Sequence, residues 1–382
     1  MSRLGEFELI ERISAAFNGG EGVKAGPGVT GIGDDCAILP QSSGLDTLVT
    51  TDLLVEGRHF LLDDVSAEQL GWKSAAVNIS DIAAMGGRPV ASFLSLALPA
   101  SLGPEWVERF IGGFKELSAR FGVPLLGGDT SASPDNLFIN VTLLGECRHG
   151  AAVRRDGARP GDLVCVTGTL GDSAAGLRLL LERNSRRPGD SLCDSAAGIA
   201  LIDRHYCPMP RVAEGQALAA VPGLHAMMDI SDGIASDLRH ILRASAGPGN
   251  GEFGPKTVVR GSAGPGNGEF GPETCCGTSL CAEVDLRLLP ESDELRQICD
   301  KRGWDPAELA VSGGEDYELL FTLSPEAFEA AAAAVRAASG GKVGVTAIGK
   351  ILTAGGTQLG RTQGDIRWLG GAKDEYQGFT HF

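Results

Sequence analysis

The chain has 382 residues, 43% of them hydrophobic and 21% charged, and a formal net charge of −16. That length suggests about two domains, each able to bury a core, and the composition is that of a soluble globular enzyme. The acidic balance disfavours nucleic acid and anionic membranes as partners. With no apolar run of about 18 residues and no basic-then-apolar leader, a cytoplasmic protein is expected.

The start, Met1 to Phe17, reads as an amphipathic helix, with Phe7, Ile10, Ile13 and Phe17 at helical spacing. Thr47 to Thr51 reads as a strand. Ser66, with Gln69 three residues on, opens a helix that runs toward Met85 and stops at Gly86-Gly87. Val90 to Leu98 reads as a buried strand, and Pro104 to Phe121 as a helix with Trp106, Phe110, Phe114 and Leu117 on one face. The strand Leu137 to Leu144 closes a first domain, residues 1–150.

The second domain, residues 151–382, opens with a strand at Leu163 to Thr167, a turn at Gly168 to Gly171 and a helix at Ser173 to Glu182. His225 to Ile230 is expected as a strand feeding a helix from Asp232 to Ala244. Further strands are expected at Ala282 to Leu289, Tyr317 to Leu323 and Val343 to Ile348, with an alanine-rich helix at Pro325 to Ala338. The whole is mixed α/β. Within the second domain, SAGPGNGEFGPKT from Ser245 returns as SAGPGNGEFGPET from Ser262, an offset of 262 − 245 = 17 residues. Two Gly/Pro-rich copies cannot build a solenoid, so the insert at 245–274 reads as a duplicated flexible surface loop. The nine cysteines lack paired metal-binding spacing and read as reduced thiols.

Several segments share one design, an apolar strand or helix end followed by Asp beside Gly, Ser or Thr. They are Gly31-Ile32-Gly33-Asp34-Asp35, Thr50-Thr51-Asp52, Asn78-Ile79-Ser80-Asp81, Gly127-Gly128-Asp129-Thr130 and Asp229-Ile230-Ser231-Asp232-Gly233. Glycine lets backbone approach a ligand, and Asp supplies hard oxygen ligands for Mg²⁺. Taken singly, each reads first as a turn or a helix cap. Asp81 differs, because it sits late in an apolar helix where an unpaired carboxylate is costly. The Thr167 to Gly171 turn is neither a P-loop nor a GxGxxG, and both a structural turn and a phosphate contact stay open.

In order, the chain carries GIGDDCAIL, TTDLLVEGRHF, NISDIAAMGG, GGDTS, RRDGARPGD, VTGTLGDSAAGL, MDISDGIASDL and SGGEDYELLFT. Together these closely resemble the thiamine-monophosphate kinase family from Gly5 to Phe382, broken mainly by the insert. The resemblance implies the two-domain fold of aminoimidazole ribonucleotide synthetase, with an N-terminal ATP- and Mg²⁺-binding domain that forms a homodimer and a C-terminal α/β domain. It implies several Mg²⁺ ions on Asp35, Thr50, Thr51, Asp52, Asp81, Asp129, Asp229 and Asp232. ATP contacts fall on Gly128, Asp129, Arg155 and Ser231. Thiamine monophosphate contacts fall on His59, Glu315 and Tyr376, where the family commonly has Trp in place of Tyr376. Selenophosphate synthetases and hydrogenase-maturation dehydratases share the fold group, but they call for a reactive Cys that this pattern does not supply.

The implied reaction carries the γ-phosphoryl group of ATP to the phosphate of thiamine monophosphate. A phosphate monoester has a second pKa of about 6, so the acceptor is mostly dianionic at pH 7 and needs no general base. The obstacle is repulsion between two anions, which charge neutralisation and alignment relieve, and direct in-line transfer is expected.

Overall fold

The computed structural model describes residues 36–41, 44–184, 192–246, 279–354, 364–371, 373 and 375–378. The helix expected at Met1 to Phe17, the ligand position Asp35 and residues 247–274 of the insert lie outside the described residues.

The first sheet is built from β1 (Ala37–Pro40), β2 (Leu45–Val55), β3 (Arg88–Pro99), β4 (Leu125–Ser133) and β5 (Phe138–Arg148), in the order β1-β2-β5-β3-β4. Only β3 and β4 run parallel. Alternation puts Leu48, Leu54, Leu94, Ile139 and Val141 on one face, in a core shared with α1 (Ala67–Ala84). Ser66 caps α1 with the expected box: its Oγ accepts from the Gln69 amide at 3.1 Å, while Gln69 Oε1 accepts from the Ser66 amide at 3.2 Å. The second helix, α2 (Pro104–Arg120), packs on α1 through Phe110, Phe114 and Leu117. The two helices approach closely at glycines. A Cβ on Gly71 would stand 1.9 Å from the Phe110 carbonyl oxygen, and one on Gly113 would stand 1.8 Å from that of Glu68. Apolar residues nonetheless stay exposed on this sheet: Leu53 is 53% and Leu126 64% exposed.

The second sheet takes β6 (Leu163–Thr167), β7 (Leu224–Asp229), β8 (Leu280–Asp285), β9 (Leu319–Leu323), β10 (Val345–Thr353) and β11 (Ile366–Leu369) in the order β11-β8-β10-β6-β9-β7. β9 is buried along its whole length and β6 nearly so, which is why both read as continuous apolar runs. Around the sheet lie α3 (Asp172–Asn184), α4 (Ala196–Tyr206), α5 (Val212–Ala219), α6 (Ile234–Ala244), α7 (Asp293–Arg302), α8 (Pro306–Ser312) and α9 (Phe328–Ala338).

Several elements depart from the sequence reading. β4 had no strand signal, because Gly-Gly-Asp is poor strand chemistry; the parallel ladder offered by β3 makes it one. Helices α4, α5, α7 and α8 were also unassigned, although α7 carries a Ser292 cap and a left-handed Gly303 at its end. The strand expected from Tyr317 begins at Leu319, because Tyr317 adopts φ 50°. Among the described residues the cysteines are free thiols, and no helix is long and apolar enough to cross a membrane.

Candidate active site

β2 delivers the first carboxylate and hydroxyls. Strand alternation separates neighbouring threonines: Thr50 is buried and donates its hydroxyl hydrogen to Asp81 Oδ2 from α1. Thr51 is exposed, accepts from Asn140 Nδ2 at 3.1 Å and lies 3.1 Å from the Thr142 hydroxyl. Asp52 is half-buried one residue further on. Asp129 lies exposed on β4 beside Ser95 of β3, its Oδ1 accepting from the Thr130 amide at 2.9 Å. Its neighbour Gly128 has φ 154°, and a Cβ there would stand 1.7 Å from the Leu94 carbonyl oxygen, so the close strand approach requires glycine.

β7 ends at Asp229, whose Oδ2 accepts from the buried Ser80 hydroxyl at 2.6 Å. Burial pushes the Asp229 carboxyl up to about 6; the Ser80 hydrogen bond and Arg155 oppose the rise, and Asp232 adds to it. Arg155 and Asp232 therefore share the neighbourhood of Asp229. Both also act on His240 of α6, which burial lowers to about 4. Ser231 and Asp232 lead into α6 through Gly233 at φ 96°.

The loop before β9 completes the cluster. The Glu315 amide donates to the Ser231 carbonyl at 2.8 Å, and the Tyr317 amide to that of Ile230 at 3.0 Å. Burial raises the buried Tyr317 phenol well above its ordinary value, and so does the negative charge of Glu315, Asp52, Asp229 and Asp81. Carboxylates from both sheets, from α1 and from the loop thus all act on one tyrosine. His59 accepts from the Val55 amide through Nδ1 at 2.9 Å; burial pushes the Glu315 carboxyl up, but Lys73 and His205, with a smaller part from His59, hold it below its usual range. Tyr376 is 3% exposed and packs edge-on against Trp368 in the core of the second sheet.

The turn before α3 is structural. Asp316 accepts from the Gly171 and Ser173 amides at 2.7 and 3.2 Å, occupying the donors a phosphate would need. The Glu318 carboxylate fills the space beside Gly168, where a Cβ would meet it at 2.1 Å. Lys73 and His205 belong to this region although no motif held them, and Ser80 and Tyr317 lay inside motifs without being assigned a role. The available signal was Lys73 itself, a lone basic residue in a mostly apolar helix.

A two-sheet α/β chain with carboxylates gathered between its sheets belongs to the architecture of AIR synthase-related proteins. The model of that family's N-terminal domain (AIR synthase related protein) matches residues 33–147. Similarity to individual proteins is more specific. Thiamine-monophosphate kinase of Salmonella typhimurium is 35% identical over 359 residues, covering 92% of both chains. That of Escherichia coli is 38% identical over 293 residues, 77% of this chain and 76% of the relative. A solved structure described as "AaThiL complexed with AMPPCP and TMP" matches with a TM-score of 0.74 and 33% identity over 100% of this chain and 99% of that one. The chain belongs to the thiamine-monophosphate kinase family.

Proposed function

We infer that this protein transfers the γ-phosphoryl group of ATP directly to the phosphate of thiamine monophosphate, yielding thiamine diphosphate and ADP. The observation that carries this reading is the reach of α1 to both sheets. Asp81 takes the Thr50 hydrogen bond from the first sheet, and the adjacent Ser80 donates to Asp229 of the second. Carboxylates at such a junction suit a reaction between two polyanions. The relative solved with AMPPCP and TMP supports the same substrate pair for this chain.

The donors fit Mg²⁺, which prefers oxygen and is held by one or two carboxylates plus substrate phosphates and water. Asp52 with Thr50-Asp81 offers one such set, and Asp229 with Asp232 another. Among the described residues no three His, Cys, Asp or Glu are placed to hold a metal ion by themselves. Mg²⁺ bound there neutralises phosphate charge and favours alignment of the two substrates. The protein's own groups do the rest. Arg155 presents a fork of donors to phosphate oxygens, and Gly128 and Ser231 give the nucleotide close backbone approach. His59 and Glu315 hold the acceptor. No group is asked to remove a proton, and no phosphoenzyme forms.

Residues to about 150 are proposed as the ATP-binding and dimerising unit, with the exposed Leu53 and Leu126 supporting a homodimer contact on the first sheet. A cytoplasmic location fits the same reading. ADP release should require thiamine monophosphate, ATP and Mg²⁺ together. Equal turnover of free thiamine, whose hydroxyl lacks the acceptor's charge and reach, would overturn the mechanism.

A further inference from the structure

α1 is buried almost all round, yet it carries Lys73, which is 0% exposed. A buried ammonium is costly unless it is paired, so its partner carries information. Nζ lies 2.9 Å from Glu315 Oε1, in the loop before β9. Among the described residues Nζ meets no other acceptor. The Tyr206 ring lies 5.6 Å from the ammonium, and His205 is close enough to feel its charge.

Glu315 is constrained from its other side as well. Its Oε2 lies 3.4 Å from His205 Nδ1, which also meets the Ser173 hydroxyl at 3.0 Å. Burial, with Lys73 beside it, lowers His205 to about 3, and Lys73 is the side chain in direct contact with Glu315 at 2.9 Å. The backbone of Glu315 adopts φ 62°, unfavourable for a residue with a side chain. It is held there by the Glu315 and Tyr317 amide bonds to Ser231 and Ile230. The loop is thus fastened to the second sheet, while its carboxylate is fastened to a helix of the first.

We propose that Lys73 is a positioning residue for Glu315, fixing across the junction of the two sheets the carboxylate that receives thiamine monophosphate, and so setting acceptor affinity without touching the nucleotide. This rests on the reading of Glu315 as an acceptor contact, and the test separates the two. Steady-state kinetics on Lys73→Met, Glu315→Gln and the double variant give KM for each substrate. For Lys73→Met we expect KM for thiamine monophosphate to rise about tenfold or more, the scale of a lost charge-assisted contact. KM for ATP should stay within about twofold, and the double variant should be no worse than Glu315→Gln alone, since both changes break one linkage.

If Glu315→Gln raises KM for thiamine monophosphate while Lys73→Met leaves it unchanged, the Lys73 proposal falls and the reading of Glu315 stands. If Glu315→Gln has no effect, both fall. A parallel rise in KM for both substrates with a lower Tm would make Lys73 merely structural and overturn the proposal. Should Lys73→Met not fold, Lys73→Arg keeps the charge but displaces it. A selective rise in KM for thiamine monophosphate then supports the proposal, and unchanged kinetics overturn it.

Discussion

Asp81 and Asp229 answer the same need in different surroundings. Each ends an apolar segment, and each accepts a hydrogen bond from a hydroxyl, Thr50 for one and Ser80 for the other. Asp81 is half-buried at the margin of the first sheet. Asp229 is 2% exposed beneath the second, and burial raises its carboxyl to about 6. The first region keeps its carboxylates near solvent, while the second encloses one whose charge is costly without a cation. The difference teaches that equivalent ligand positions can contribute unequally, one mainly to catalysis and the other also to the energy of the empty protein.

The largest expected effect tests the first region. Asp52→Asn or Asp81→Asn keeps size but removes a charged oxygen, and kcat should fall by on the order of 100-fold, as for one strong electrostatic stabiliser. Tm should hold or rise, since like charges repel in the absence of ligand. A lowered Tm with near-normal kcat would make these residues caps and turns instead.

Asp229→Asn sharpens the contrast. The folded carboxyl is raised from 3.8 to about 6, so its contribution to stability is present below 3.8 and lost as pH rises through about 6. Replacing it should therefore stabilise the metal-free protein at pH 7 by on the order of 3 kcal/mol. It should also flatten the stability profile between pH 4 and 6. Thermal melts in chelator across that range read the effect, and an unchanged profile would mean that Asp229 is not raised.

Ser80→Ala should act in the opposite sense. It removes the hydroxyl donor from a buried carboxyl, costing about 1–2 kcal/mol in urea denaturation. A loss this size at position 80 with none from Thr51→Ala would confirm that enclosure sets the cost, because Thr51 is exposed. The smallest effect is expected from the duplicated segment, which carries none of the acidic motifs. Deleting 246–272 should leave kcat within about threefold, because loop-length changes cost only tenths of a kcal/mol to about one. A folded deletion variant without activity would give the duplicated segment a working role.

What was legible in the sequence was local. The Ser66 box, the apolar face of α2 and the limits of β6 follow from neighbouring residues, so they read directly. β4 was not legible because its stability comes from a partner strand rather than from Leu-Leu-Gly-Gly-Asp itself. Tyr376 shows the same limit in the site. Its place in the motif order is written along the chain, but its packing on Trp368 and the hydrogen bond its carbonyl accepts from Arg239 at 3.0 Å are not.

By itself, the sequence determined the order of acidic motifs, the hard oxygen character of the donors and the family those motifs resemble, because residue type and spacing are written along the chain. Only the tertiary structure decided that Thr50 and not Thr51 turns its hydroxyl to Asp81, that Ser80 meets Asp229, and that Lys73 faces Glu315. Strand and helix periods assign a side chain to a face, but its partner and its dielectric surroundings depend on what packs across that face. Here that means elements as far apart in sequence as α1 and the loop before β9.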